Sequence, residues 1–206
     1  MTQPFPLILA SASPRRAGLL TKLGLEFSVS PSAIPEDVLP GEAPEEHAER
    51  LSRAKVQEVR EGSPGAMVVA GDTVVVLDGG ILGKPAHPED ALGMLRALSG
   101  RTHTVVSGLA VAFPGGAVRS GVMSTDVTFR SFDDDFARAY VETGEPMDKA
   151  GAYGIQGLGS ALVQEIRGDY TTVVGLPVPL LLELLRSGGV RYRFGSLVPV
   201  SPEAAR

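Results

Sequence analysis

The chain has 206 residues, 43% of them apolar and 21% charged, which is enough to bury the core of one or two domains. Nineteen Lys and Arg against 24 Asp and Glu leave a net charge of −5, which excludes a non-specific nucleic-acid coat with its basic stripe. The absence of cysteine excludes disulfides, thiolate nucleophiles, iron–sulfur clusters and cysteine zinc sites. Leu7–Ala10 reads as a short apolar strand, followed by a helix from Pro14 to about Leu23 that ends at Gly24. Phe27–Ser30 is a second strand. A helix from Pro44 to Glu61 carries acidic residues in its first turn and Gly62 beyond its end. Ala66–Leu77 is a valine-rich strand interrupted by Gly-Asp-Thr, and Asp78-Gly79-Gly80 turns the chain back. Pro88–Leu98 is a helix with Leu92, Leu95 and Leu98 on one stripe. Thr104–Phe113 and Val118–Phe129 flank Pro114-Gly115-Gly116 and form a hairpin. Asp133 caps a helix reaching Thr143. The glycine-rich GEPMDKAGAYGIQGLG leads to a strand over Ala161–Ile166, and a last apolar helix runs from Val178 to Arg186. Strands and helices alternating in this order predict an α/β architecture with a mixed sheet.

No repeat or low-complexity tract divides the chain, so one compact unit is expected. The opening MTQPFPLILA lacks the basic segment and long apolar run of a signal peptide. The greasiest stretch, VVGLPVPLLLELL, is broken by Pro177, Pro179 and Glu183 and is too short to span a bilayer. A cytoplasmic protein with neither a membrane nor a nucleic-acid partner is expected.

Four features carry chemistry. In SASPRR, Ser13 is a natural N-cap and Pro14 a natural first helical residue, so Arg15 and Arg16 fall in the first turn. Cations there oppose the helix dipole, by roughly 0.3–1 kcal/mol each, unless an anion such as phosphate shares the site. Otherwise both side chains extend into solvent. Asp72 interrupts VVAGDTVVV, where a carboxylate either turns the chain or works, because burying it unpaired is costly. Lys55 lies between Leu51 and Val59 on the inward stripe of its helix, and Pro85 holds Lys84 extended. Each lysine alone is ordinary; with the arginines they supply the cations a polyphosphate requires. Glu36 offers a second carboxylate from a polar loop. The fourth feature surrounds Gln156, where Gly151, Gly154, Gly157 and Gly159 either admit a ligand closely or merely connect two lobes. No GxSxG, P-loop or dinucleotide fingerprint is present, and His47, His87 and His103 are too scattered for a helical zinc pair. A hydrolase built on this chain uses a carboxylate and a hard metal.

These motifs together resemble the Maf nucleoside triphosphate pyrophosphatases. The likeness runs through LILASASPRRAGLLTKLGLEF, Ile34-Pro35-Glu36, RLSRAK, AGDTVV, GKP, LSGRTH, GEPMDKAGAYGIQG and GDYTTVVGLP. It implies a single domain over 1–206, with a curved mixed sheet flanked by helices and two lobes around a cleft, similar to the inosine triphosphatase group. It also implies hydrolysis of the α–β bond of a nucleoside triphosphate with a divalent metal, Mg²⁺ or Mn²⁺, in a homodimer. By the same resemblance Asp72 is the proton acceptor, and Arg15, Thr73 and Gln156 set substrate preference. Ser13, Arg16, Lys55 and Lys84 meet phosphate, and Glu36 joins Asp72 at the metal. Pro35 stands where many relatives carry Asp, which weakens a paired-acid metal site in that loop. The Arg, Thr and Gln combination resembles the branch acting on dTTP and UTP, with CTP and modified pyrimidine triphosphates left open. The 7-methyl-GTP branch tends to carry Gln after the Asp and Glu in place of Gln156. A further alternative is a nucleotide-binding regulator without turnover, since relatives are linked to septum formation.

Overall fold

The computed structural model describes residues 4–200. Leu7–Leu9 (β1) lies between two parallel neighbours, Ser28–Val29 (β2) and Met67–Leu77 (β3). All three β1 residues are buried, as an unbroken apolar run in a strand covered on both faces requires. Helix Pro14–Lys22 (α1) starts with the Ser13 side chain accepting from the Arg16 amide and Pro14 in the first turn. Helix Pro44–Glu61 (α2) precedes β3, and Gly80–Leu82 (β4) folds back antiparallel on it. Helix Pro88–Leu98 (α3) leads into the hairpin of Thr102–Ala112 (β5) and Val118–Phe129 (β6). Helix Asp134–Glu142 (α4), capped by Asp133, is followed by three short 3₁₀ turns between Glu145 and Leu162. Val163–Arg167 (β7), Tyr170–Val174 (α5), Val178–Ser187 (α6) and the small hairpin Val190–Tyr192 (β8) with Leu197–Pro199 (β9) complete the described chain.

The main sheet runs β2-β1-β3-β5-β6-β7, with β4 beside β3. It is parallel around β1 and antiparallel elsewhere, so the expected mixed sheet flanked by helices is what forms. Period-two alternation assigns its faces. Ile8, Val68, Ala70 and Ala110 pack against Val56 of α2. On the opposite face Leu9, Met67, Val69, Leu109 and Val111 pack with Leu20 of α1 and Leu181 and Leu185 of α6. Further along that same face, Val75, Val105 and Phe129 form a second cluster with α3, α4 and Tyr153. The register places Thr73 opposite Ser107 between the two clusters, so a polar row divides them.

One expectation is corrected here. The Gly-Asp-Thr does not interrupt β3, whose ladder with β5 continues through Gly71↔Leu109, Asp72↔Gly108 and Thr73↔Ser107. Gly108 explains how a carboxylate is accommodated there. A Cβ at Gly108 would stand 2.2 Å from the Ala48 carbonyl oxygen, so α2 sits directly on the sheet opposite Asp72. The last sheet strand also starts later than the sequence suggests, because Ala161 and Leu162 belong to a 3₁₀ turn. No helix among the described residues is long and apolar enough to cross a membrane.

The second cluster contains a buried histidine. His103 is 2% exposed, shares a 2.8 Å hydrogen bond with the Tyr153 hydroxyl, and meets the Phe129 and Tyr153 rings edge-on. Its Nδ1 has no partner among the described residues. Burial pushes its pKa down from 6.5 to about 4, against an opposing pull from Asp126. The unfolded chain therefore takes up this proton at a higher pH than the folded one does. The neutral ring's stabilising contribution is complete above pH 6.5 and falls as pH drops through about 4, by up to ~3 kcal/mol. Urea denaturation at pH 7 and pH 4 is expected to show that the pH-dependent loss shrinks by about this amount in His103→Phe. An identical loss in both proteins would contradict the assignment.

Candidate active site

The carboxylate of Asp72 points to the α2 face of the sheet, where the stripe Leu51, Lys55, Val59 brings a lysine to it. Lys55 Nζ donates to Asp72 Oδ1 at 2.8 Å, with Lys55 5% and Asp72 7% exposed. The same Nζ lies 2.5 Å from Glu36 Oε1, and that carboxylate is half exposed. Glu36 is brought there by a loop fastened at both ends. The Ala33 amide donates to Glu58 Oε2, and Arg50 Nη2 donates to the Asp37 carbonyl at 3.0 Å. Arg50 is itself held by Glu42, whose carboxyl that guanidinium keeps well below the usual range, and His47 completes the cluster. Two carboxylates thus converge on one buried ammonium.

The SASPRR segment forms the adjoining wall, and its two arginines behave differently. Arg16 Nε donates to the Gly175 carbonyl at 2.8 Å, Nη1 to Ser11 Oγ at 3.0 Å and Nη2 to Thr73 Oγ1 at 3.1 Å. Thr73 and Ser107 hydroxyls lie 2.8 Å apart, and Ser107 Oγ donates to the Thr172 carbonyl. A chain of donors therefore runs from Arg16 through Thr73 and Ser107 across the polar row. Arg16 lends charge to the cleft but does not present a free fork, and Thr73 is fixed rather than mobile. Burial lowers the Arg16 pKa, partly offset by Asp72. Arg15 instead reaches across to Asp148, at 2.9 Å. Ser13 caps α1 through its hydroxyl while its own amide donates to Ser11 Oγ. Lys84 follows Gly83 in the loop before Pro85; it is exposed and makes no ion pair among the described residues.

These groups line one cleft of about 520 Å³, within the range of small-molecule sites. Asp72, Lys55, Glu36, Ser13, Arg15, Arg16, Thr73, Lys84 and Gln156 all border it. Gln156 is exposed on the turn following Gly154 and borders the same cleft as Arg15. Gly151 and Ala152 before it both take positive φ, +66° and +57°; in the buried Ala152 this is a strained conformation of the kind found at functional sites. Sequence reasoning missed Ser11, Ser107, Asp148 and Glu145, each an unremarkable polar residue until its partner from a distant segment is in place. The adjacent Asp148-Lys149, whose side chains pair, was the one local sign.

Glu36 and Asp72 are oxygen donors facing the cleft, which suits a hard divalent cation. No group of three or more acidic or histidine side chains among the described residues forms a cage. Mg²⁺ is ordinarily held by one or two carboxylates with substrate phosphates and water completing its shell, so this donor set fits an ion shared with substrate.

The family described as Maf-like protein matches residues 6–188. A protein of Moorella thermoacetica named dTTP/UTP pyrophosphatase is 51% identical over 185 residues, covering 89% of this chain and 95% of that one. One of the same name from Nitratidesulfovibrio vulgaris is 48% identical over 192 residues, covering 91% and 90%. Among solved structures, the Staphylococcus aureus Ham1 protein aligns with a TM-score of 0.47 at 15% identity, over 89% of this chain and 99% of that one.

Proposed function

The chain belongs to the Maf family, and from that premise we propose that its cleft hydrolyses dTTP and UTP to the monophosphate and pyrophosphate. The observation that carries this reading is the meeting of Asp72 and Glu36 on Lys55 within a nucleotide-sized cleft. A pocket that bound only the bare polyphosphate would gain nothing from two carboxylates beside the anion; in a hydrolase one of them can take a proton from water. The names of the two relatives supply the nucleotide class.

Water attacks the α-phosphorus, the α–β bridging bond breaks, and pyrophosphate departs. Asp72 accepts the proton from the attacking water. Lys55 holds that carboxylate in place, and its fixed positive charge, with Lys84 and Arg16, balances the negative charge that accumulates on the leaving pyrophosphate. The N-terminal end of α1, with the Ser13 hydroxyl, adds a partial positive charge on the same side. Glu36 and Asp72 are the residues that would hold a divalent cation, Mg²⁺ or Mn²⁺, which when bound neutralises phosphate charge and polarises the reacting bond. Gln156 and Arg15 face the nucleoside end and set which base is accepted.

Incubation with dTTP or UTP and Mg²⁺ tests the reading directly. Monophosphate and pyrophosphate are expected in equal amounts. Orthophosphate and a diphosphate as products, or no turnover on either nucleotide, would overturn it.

A further inference from the structure

The turn that carries Gln156 is fastened by a single acidic residue outside the residues given roles above. Glu145 opens the 3₁₀ turn Glu145–Asp148 and accepts three hydrogen bonds. Its Oε1 takes the Tyr140 hydroxyl at 2.9 Å and the Gly159 amide at 3.0 Å, and its Oε2 takes the Leu158 amide at 2.8 Å. The Tyr140 oxygen in turn accepts from the Gly154 amide at 3.2 Å. Both ends of the segment around Gln156 therefore converge on one carboxylate: Gly154 through Tyr140 on one side, Leu158 and Gly159 directly on the other. The packing at these glycines is close. A Cβ on Gly157 would lie 2.3 Å from Glu145 Oε2, and one on Gly159 2.5 Å from the Tyr140 hydroxyl. Burial alone would raise the Glu145 pKa, but the two amides and the tyrosine outweigh it and hold the group below its ordinary value.

We infer that Glu145 is the positioning residue for Gln156, fixing the angle at which its amide meets the base and so the nucleotide preference of the enzyme. This rests on Gln156 being the group that reads the base. A carboxylate is specifically required, because all three neighbours donate. An amide at 145 would turn an NH₂ toward one of the backbone N–H groups and release that arm, leaving both groups without an acceptor.

The test is a double-mutant cycle on base discrimination, read as the ratio of kcat/KM for dTTP to that for GTP. Glu145→Gln is expected to lower this ratio about tenfold, while inhibition by inorganic pyrophosphate, which occupies only the phosphate half, keeps its constant. In a Gln156→Ala background the same substitution is expected to lower the ratio no further. If Glu145→Gln does not fold, Tyr140→Phe, which removes the Gly154 arm alone, replaces it in the cycle with an expected loss of about threefold. An unchanged ratio, or a loss that adds to that of Gln156→Ala, overturns the role of Glu145 while leaving Gln156 as the reader. A Gln156→Ala protein with the wild-type ratio overturns the reader itself, and the inference with it.

Discussion

Asp72→Asn is expected to lower kcat for dTTP hydrolysis by ~10² or more with little change in triphosphate affinity, since a positioned general base contributes roughly that factor. The surroundings of the residue make this a clean substitution. Asn keeps an oxygen that accepts from Lys55, and Lys55 retains Glu36 as a counter-charge. The protein therefore avoids the ~3–5 kcal/mol cost of a buried charge left without a partner. Glu36→Gln alone leaves the Asp72–Lys55 pair intact, so its effect on kcat should be smaller and its dependence on Mg²⁺ concentration greater. Lys55→Met removes the shared ammonium and sets two carboxylates beside each other without it. That variant is expected to lose stability as well as activity. Steady-state kinetics with a titration of Mg²⁺ and a thermal melt for each variant separate these cases. An Asp72→Asn enzyme within tenfold of wild-type kcat would remove the residue from the proton-accepting role.

Much of this site could be read from local sequence because each element announces itself. Ser13-Pro14 marks the start of α1, and α2 shows Lys55 on its apolar stripe. Asp72 stands out as the one acid in a run of valines. What local sequence cannot carry is the set of partners. Arg15 meets Asp148 across 133 residues and Arg16 meets Gly175 across 159, and nothing near either arginine distinguishes their two fates. The expected break at Gly-Asp-Thr came from weighing Gly71-Asp72 as turn chemistry. The deciding residue was Gly108 on the neighbouring strand, which lets α2 approach and supply the ion pair. Helix α5 was hidden for a related reason. Its Tyr-Thr-Thr-Val-Val suits a strand, and only the Asp169 side chain, accepting from the Thr172 amide and from both threonine hydroxyls, turns it into a helix. The β8–β9 hairpin is three residues per strand around an exposed Phe194, too short for any periodicity to register.

Wild type is expected to prefer dTTP and UTP to 7-methyl-GTP by ~10² in kcat/KM, and Gln156→Glu to erode that preference by tenfold or more. The side-chain amide of Gln156 makes no hydrogen bond to any other described residue, so both its donor and its acceptor are available to a ligand in the cleft. Thymine and uracil present an N3–H donor beside an O4 acceptor, and one amide satisfies both. A carboxylate has only acceptors: it keeps the N3–H contact, opposes the O4 carbonyl, and suits the donor-rich, cationic 7-methylguanine. The backbone around position 156 should not move on this substitution, because Glu145 and Tyr140 hold the flanking amides and not the Gln156 side chain. Any change is therefore in the chemistry offered to the base, and pyrophosphate inhibition should be the same in both proteins. CTP sharpens the comparison, since its N3 acceptor and N4 donors reverse the thymine edge. A rotated amide serves that edge, whereas a carboxylate meets only the N4 group. The decisive measurement is kcat/KM for dTTP, UTP, CTP and 7-methyl-GTP with wild type and Gln156→Glu. Equal rates on all four with wild type, or a wild-type preference for 7-methyl-GTP, would take Gln156 out of base recognition.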